Sequence, residues 1–313
     1  MTAAQAPEGT EAAGTPSLTS LEIASQPDCW RRAAALAPAY AADLPQPGER
    51  VAVVGCGTSW FVAQAYAVLR EQAGLGETDA FAASEFPSGR RYDRIVGLSR
   101  SGTTTEVLQL LDARPGGARR TVVTADPETP VMAKAEHVVV LDFADERSVV
   151  QTRFATTALA LFRTHLGGGA QVLAAADDAE RTGGDALPRT WLEADQFSFL
   201  GRGWTYGLAL EAALKMREAA VSWTEAYPAM EYRHGPIAIC GPNRITWALG
   251  EVPAGLAADI ARTGGRLVHD ATVDPMADLV RVQRLAVARA HAQGLDPDRP
   301  RHLTRSVVLD GEG

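Results

Sequence analysis

Glu211, Lys215 and Glu218 are the residues in this chain best placed to do chemistry together. They fall at i, i+4 and i+7 in a run rich in Ala, Leu, Glu, Lys and Met, in which Leu210, Leu214, Arg217 and Val221 recur at three- and four-residue steps. That composition and spacing predict a helix, with the three charges on one side of it. Taken alone, such a stripe reads as a solvated face with ordinary ion pairs. The helical pattern stops after Trp223 in a Pro-containing segment that holds Glu225 and Glu231 and ends in His234-Gly235-Pro236. A His beside a Gly-Pro turn is free of helix geometry and can be aimed at a cleft.

A second cluster could grip an anion. The predicted strand Ile95–Leu98 runs into Ser99-Arg100-Ser101-Gly102-Thr103-Thr104-Thr105-Glu106, and a helix is predicted over Val107–Leu111. One Ser or Thr would suffice to cap that helix. Five hydroxyl residues around one Gly make a nest of donors suited to a phosphate monoester. The strand Val51–Val54 leads similarly into Gly55-Cys56-Gly57-Thr58-Ser59 and a predicted helix over Trp60–Glu71. A G-x-G turn invites a dinucleotide reading, but Trp60 stands where the third Gly would let a pyrophosphate approach. Thr58 and Ser59 fit better as hydroxyl donors near a single phosphate or a sugar. Cys56 reads as a small residue packed in a tight turn.

The elements that must hold these groups are strands alternating with helices. Thr121–Thr124 and Val138–Leu141 complete four β-α steps, which predict a doubly wound parallel sheet with its ligand at the strand carboxyl ends. Then Phe197-Ser-Phe-Leu200-Gly201-Arg202-Gly203-Trp204-Thr205 repeats the Val51–Ser59 pattern 146 positions later. Ile245–Leu249 and Arg266–Val268 continue a second sheet, and Met276–Gln293 is a closing helix ended by Gly294. This internal duplication predicts two domains. Residues 1–20 read as a disordered tail, 21–170 as a first domain opened by a helix over Leu21–Ala42, and 190–295 as a second. The Gly-rich, polar and Ala-rich 167–190 reads as a bridge, and 296–313 as a terminal arm.

Composition narrows the partners. Hydrophobic residues make up 46% of 313, enough for two α/β units, and the net charge of −8 argues against nucleic acid or an anionic membrane. Cys29, Cys56 and Cys240 are scattered without C-x-x-C, which suggests a reducing compartment with neither disulfide nor zinc site. No leader or membrane span is legible, so a cytoplasmic location is expected. Nothing calls for a metal or cofactor.

The runs A-L-E-A-A-L-K-M-R-E, E-A-Y and E-Y-R-H-G-P, ending at Glu218, Tyr227 and Pro236, resemble the sugar-isomerase (SIS) domain proteins. The likeness is to the isomerase half of glucosamine-fructose-6-phosphate aminotransferase, which has two such flavodoxin-like domains in tandem. The resemblance runs from about Leu21 onward, the Glu22-Ile23-x-x-Gln26-Pro27 entry included. It implies that Glu218 moves a proton between C1 and C2 of a sugar phosphate, and that His234 opens the sugar ring from the neighbouring subunit of a homodimer. It also implies that Ser99, Ser101 and Thr104 bind the phosphate, with Arg100 and Thr103 departing from the usual residues of that loop. Val149 and Gln151 fall on a substrate-contacting segment, Gln151 where a Ser is common.

The arm Asp296–Val307 resembles one that folds over the active site and carries a Schiff-base lysine in the aminotransferase. Arg305 stands at that position. A guanidinium stays protonated and is a poor nucleophile, so no imine forms there. No glutaminase domain is expected before Leu21 either, so synthesis of glucosamine 6-phosphate from glutamine is not the expected activity. What remains suits proton abstraction beside a carbonyl, with Lys215 or Arg305 holding the oxyanion and Glu218 raised in pKa by partial desolvation. The favoured outcome is elimination of water from N-acetylglucosamine 6-phosphate, with Arg305 on the acyl oxygen. The alternatives are an aldose-ketose isomerase or deaminase of glucosamine 6-phosphate, and a non-catalytic phosphosugar sensor.

Overall fold

A computed structural model of the chain describes residues 16–309. Helices α1 (Leu18–Ala24) and α2 (Gln26–Leu36) precede β1 (Val51–Gly55), α3 (Thr58–Gln72), β2 (Thr78–Ala82), β3 (Arg94–Leu98), α4 (Thr105–Ala113), β4 (Arg119–Thr124) and β5 (His137–Val140). Then come α5 (Arg153–Arg163), α6 (Gly169–Gly183), the single turn α7 (Arg189–Leu192), β6 (Gln196–Gly201), α8 (Thr205–Ala220), β7 (Thr224–Pro228), β8 (Arg244–Leu249), α9 (Leu256–Arg262), β9 (Arg266–Val268) and α10 (Pro275–Ala292). The strands form two wholly parallel sheets, ordered β2-β1-β3-β4-β5 and β7-β6-β8-β9. The second order repeats the first four places of the other sheet.

The central strands β1 and β3 are buried along their whole length, as continuous apolar runs in a parallel sheet must be. The predicted strands are all present, but two more stand at the sheet edges, β2 and β7. Both are only half-buried over most of their length, so neither shows an apolar run. The segment after Trp223 is therefore an edge strand before it is a loop. The predicted helix over Leu21–Ala42 is two helices divided at Ser25, two residues before Pro27, and it ends at Leu36. Helix α1 starts at Leu18, within the stretch read as tail; residues 1–15 of that tail lie outside the described residues.

The expected bridge contains helix α6, whose Val172, Ala175, Ala176 and Ala179 are buried. The largest apolar cluster runs through both halves, from Trp30, Tyr66 and Phe162 to Met216, Trp247 and Leu285. Its tightest seam joins α3 to α8. A Cβ on Gly207 would lie 2.5 Å from the Phe61 carbonyl oxygen and 3.0 Å from Ala65 N, closer than side chains tolerate. Among the described residues no helix is long and apolar enough to cross a membrane.

Candidate active site

The turn after β1 and the loop after β3 lie side by side at the carboxyl end of the first sheet. Gly55 has no room for a side chain, since a Cβ there would meet Ser59 Cβ at 2.6 Å, and Gly57 takes φ +53°. These constraints start α3 at Thr58 and turn Thr58 and Ser59 toward a cavity of about 200 Å³. In the neighbouring loop Ser99 Oγ accepts from Gly102 N–H at 3.1 Å and lies 3.3 Å from Thr104 Oγ1. Ser101 Oγ accepts from Thr103 N–H at 3.3 Å and from the Thr103 hydroxyl at 3.0 Å.

The cavity collects Thr58, Ser59, Ser99, Arg100, Ser101, Thr104, Val149, Gln151, Glu218 and Arg305. Ten positions singled out in the sequence thus share one wall. Thr103 stands behind it. From residues 190–295 only Glu218 reaches the cavity; Leu303, Thr304, Ser306 and Val307 of the arm close it with Arg305.

Glu218 is in the last turn of α8, and its charged stripe does not face solvent. Glu211 and Lys215 are 1% exposed, whereas Val221 of the opposite stripe is 55% exposed. Lys215 Nζ donates to Glu218 Oε2 and sits 3.5 Å from Glu211 Oε1. Burial alone would lower the ammonium, but Glu211 and Glu218 outweigh it and hold Lys215 above its ordinary pKa. Lys215 therefore stays charged, and what it fixes is the Glu218 carboxylate. Burial lifts Glu211 to about 8 against the pull of Lys215. Neither of its oxygens has a hydrogen-bond partner among the described residues. Helical spacing places Glu211 on the stripe but does not show that it is sealed.

Arg100 and Arg305 are committed differently from what their types suggested. Arg100 is 4% exposed. Its Nη1 donates to Ser148 O at 3.1 Å and its Nη2 to Arg305 O at 2.7 Å, with Glu146 Oε2 3.8 Å away. Burial lowers the guanidinium from its ordinary value and Glu146 counters it. Arg100 lines the cavity as the post that holds the arm, rather than as a free cation for a phosphate. Arg305 donates to Asp145 Oδ1 at 2.5 Å and to Glu146 O at 3.1 Å. Glu146, fully buried and raised by that burial, caps the start of α5 through Thr152 N–H and Arg153 N–H at 2.5 and 2.8 Å. This framework of Glu146, Asp145 and Ser148 was not legible beforehand.

His234 is exposed on the loop after β7 and does not line the cavity of its own chain.

The fold, with its two parallel sheets, is one that solved sugar-phosphate proteins share. The chain resembles solved members of it: glucosamine-6-phosphate deaminase from Thermotoga maritima superposes with TM-score 0.78 at 24% identity, covering 94% of this chain and all of that one. Tagatose-6-phosphate ketose/aldose isomerase from Escherichia coli gives 0.76 at 17% identity, covering 98% and 100%. In sequence the chain is similar to the isomerase half of glutamine–fructose-6-phosphate aminotransferases. It is 28% identical to that of Gloeobacter violaceus, over 86% of this chain and 53% of the relative. The Xanthomonas campestris protein is 29% identical, over 84% and 52%. The chain thus spans about half the length of the curated relatives it matches. No family model matches it.

Proposed function

We propose that the chain is an aldose-ketose isomerase or deaminase of an amino-sugar 6-phosphate, built as two tandem domains with the arm over the site. One observation carries the reading: Glu218, held by a buried ammonium, and the hydroxyl loop of the other half line the same cavity. With a phosphate in the loop, Glu218 takes the proton from C2 and returns it to C1, while the charged Lys215 holds the carboxylate between the two events. With an amino group at C2 the product is a ketimine, which water hydrolyses to a ketose and ammonia.

Support for this outcome over elimination comes from the relatives and neighbours, whose names include an isomerising aminotransferase, a deaminase and an isomerase. Arg305 donates from Nε and Nη2 to Glu146 O and Asp145, which fixes its guanidinium to the cavity wall and leaves its Nη1 for an oxygen of the ligand. Elimination of water from N-acetylglucosamine 6-phosphate stands as the second reading, because Arg305 does border the cavity. The test is a panel of sugar 6-phosphates in heavy water followed by proton spectra. Deuterium at C1 or C2 with ammonia released from glucosamine 6-phosphate is expected. An ultraviolet-absorbing enol from the N-acetylated sugar would favour the second reading, and binding without any exchange would leave a sensor.

The reading includes a homodimer in which His234 serves the partner's cavity, since it is exposed and does not line its own. Mixing Glu218→Gln with His234→Ala chains should then restore activity that neither has alone.

A further inference from the structure

The arm enters the hydroxyl loop side chain first. Ser306 Oγ lies 3.0 Å from Ser101 Oγ and 2.9 Å from Thr103 Oγ1, and Ser101 and Thr103 are themselves 3.0 Å apart. Three hydroxyls therefore close a triangle, with Ser101 and Ser306 on the cavity wall and Thr103 behind. Backbone bonds fix the seat: Arg100 clamps the carbonyl of Arg305, Thr105 N–H donates to Val307 O at 3.3 Å, and Leu309 N–H donates to Thr105 Oγ1 at 2.9 Å.

The donor count within the triangle is uneven. Ser101 Oγ already accepts the Thr103 N–H. Its own proton, like that of Thr103, has Ser306 Oγ within reach. Among the described residues no acceptor outside the triangle takes the Ser306 proton. A hydroxyl is both donor and acceptor, so a ring of three satisfies itself only weakly and leaves a proton for a stronger acceptor. A phosphate is acceptor-only, and a charge-assisted O–H···O⁻ bond is about twice as strong as a neutral one.

We propose that Ser306 is a specificity-determining residue of the phosphate site, a hydroxyl donor delivered by the arm that joins Ser101 on the same anion. The inference rests on the phosphate-site reading above and deepens it. The arm is then not only a cover. An anion bound there adds to the bonds that seat it, and the site distinguishes a phosphorylated sugar from a free one partly through a residue some 200 positions along the chain from the loop.

Calorimetry with inorganic phosphate, glucose 6-phosphate and glucose tests this on wild type, Ser306→Ala and Ser306→Thr. Ser306→Ala should weaken both phosphate ligands about tenfold or more, leave any glucose affinity unchanged, and lose the protection that phosphate gives the Arg301–His302 bond against trypsin. Ser306→Thr should recover most of the affinity. Equal phosphate binding by wild type and Ser306→Ala would overturn the role of Ser306 and leave the phosphate site standing. No phosphate binding by wild type would overturn both. Phosphate binding weakened by Ser306→Ala in a protein that exchanges no C2 proton would sink the enzyme reading and keep this one.

Discussion

Strand β1 runs into Gly55-Cys56-Gly57 and helix α3; β6, 146 residues later, runs into Gly201-Arg202-Gly203 and helix α8. The turns agree in detail. Gly57 and Gly203 take φ +53° and +58°, and a Cβ on Gly55 or Gly201 would meet the first residues of the following helix at 2.6 or 2.2 Å. The next strand in each half, β3 or β8, ends differently. After β3 come Ser99, Ser101, Thr103 and Thr104; after β8 come Gly250 and Glu251, the latter paired with Arg202 at 2.6 Å. The helices diverge too, since only α8 carries a Glu-Lys-Glu set, with Glu211 and Lys215 buried and Glu218 at the cavity. One scaffold recurs twice with different side chains: the hydroxyl loop is in the first half, and the Glu-Lys-Glu set, from which Glu218 reaches the cavity, is in the second. The cavity is complete only because α8 packs across α3.

The largest effect should follow from removing the second half's single contribution. Glu218→Gln keeps the shape and loses the base, so C2 exchange should fall about 10³-fold, within the usual range for a general base. Phosphate affinity should stay within about threefold, as one uncharged group replaces a charge the ligand does not need. Ser101→Ala should do the converse, raising KM about tenfold with kcat nearly kept. If both variants lost binding and rate together, the division between halves would be wrong.

The seam between the halves is the next place to break. Gly207→Ala puts a Cβ against the Phe61 carbonyl and should cost about 1–3 kcal/mol in urea unfolding. It should also slow exchange by shifting Glu218 away from the loop. Gly241→Ala, where a Cβ meets nothing within 4 Å, is the control and should change neither.

How much of this the sequence revealed follows from where the determinants lie. The hydroxyl loop was legible because five Ser and Thr exceed what a helix cap needs. The central strands were legible as unbroken apolar runs, and the duplication as a repeated G-x-G. Edge strands β2 and β7 were not, because TDAFA and TEAYP carry polar residues on half-exposed ground. The fate of the charged stripe was hidden for a different reason. Ala209, Ala212, Ala213, Ala219 and Ala220 surround α8 with small side chains that pack on any side, so periodicity cannot say which face is inward. The burial of Glu211 and the seating of Ser306 both depend on contacts between residues far apart in the chain.

Burial of Glu211 gives a smaller, pH-dependent effect. Its folded pKa of about 8 lies above the ordinary carboxylate value, so the folded state binds the extra proton. Stability through this group is fully present below about pH 4.5 and declines as pH rises to about 8. Glu211→Gln should flatten that slope and stabilise the protein by about 2 kcal/mol at pH 8, measured by urea unfolding at pH 5 and 8. An unchanged slope would mean that Lys215 keeps Glu211 ionised, and that the acid of the second half is a triad rather than a pair.

The smallest effect concerns the loop after β8, which has no hydroxyl nest. Glu251 and Arg202 are 67% and 51% exposed in their side chains, and an ion pair so open to solvent contributes roughly 0.5 kcal/mol or less. Glu251→Ser removes the pair, frees Arg202 and restores one hydroxyl to the loop after β8. A latent phosphate site would then show a second equivalent of bound phosphate. None is expected, because Val252, Pro253 and Ala254 supply no other hydroxyl, Pro253 has no N–H to donate, and α9 is only seven residues long. Calorimetry should give one phosphate per chain for both proteins, with stability unchanged. A second equivalent would mean that one acidic side chain, not the loss of the donor nest, separates the two halves.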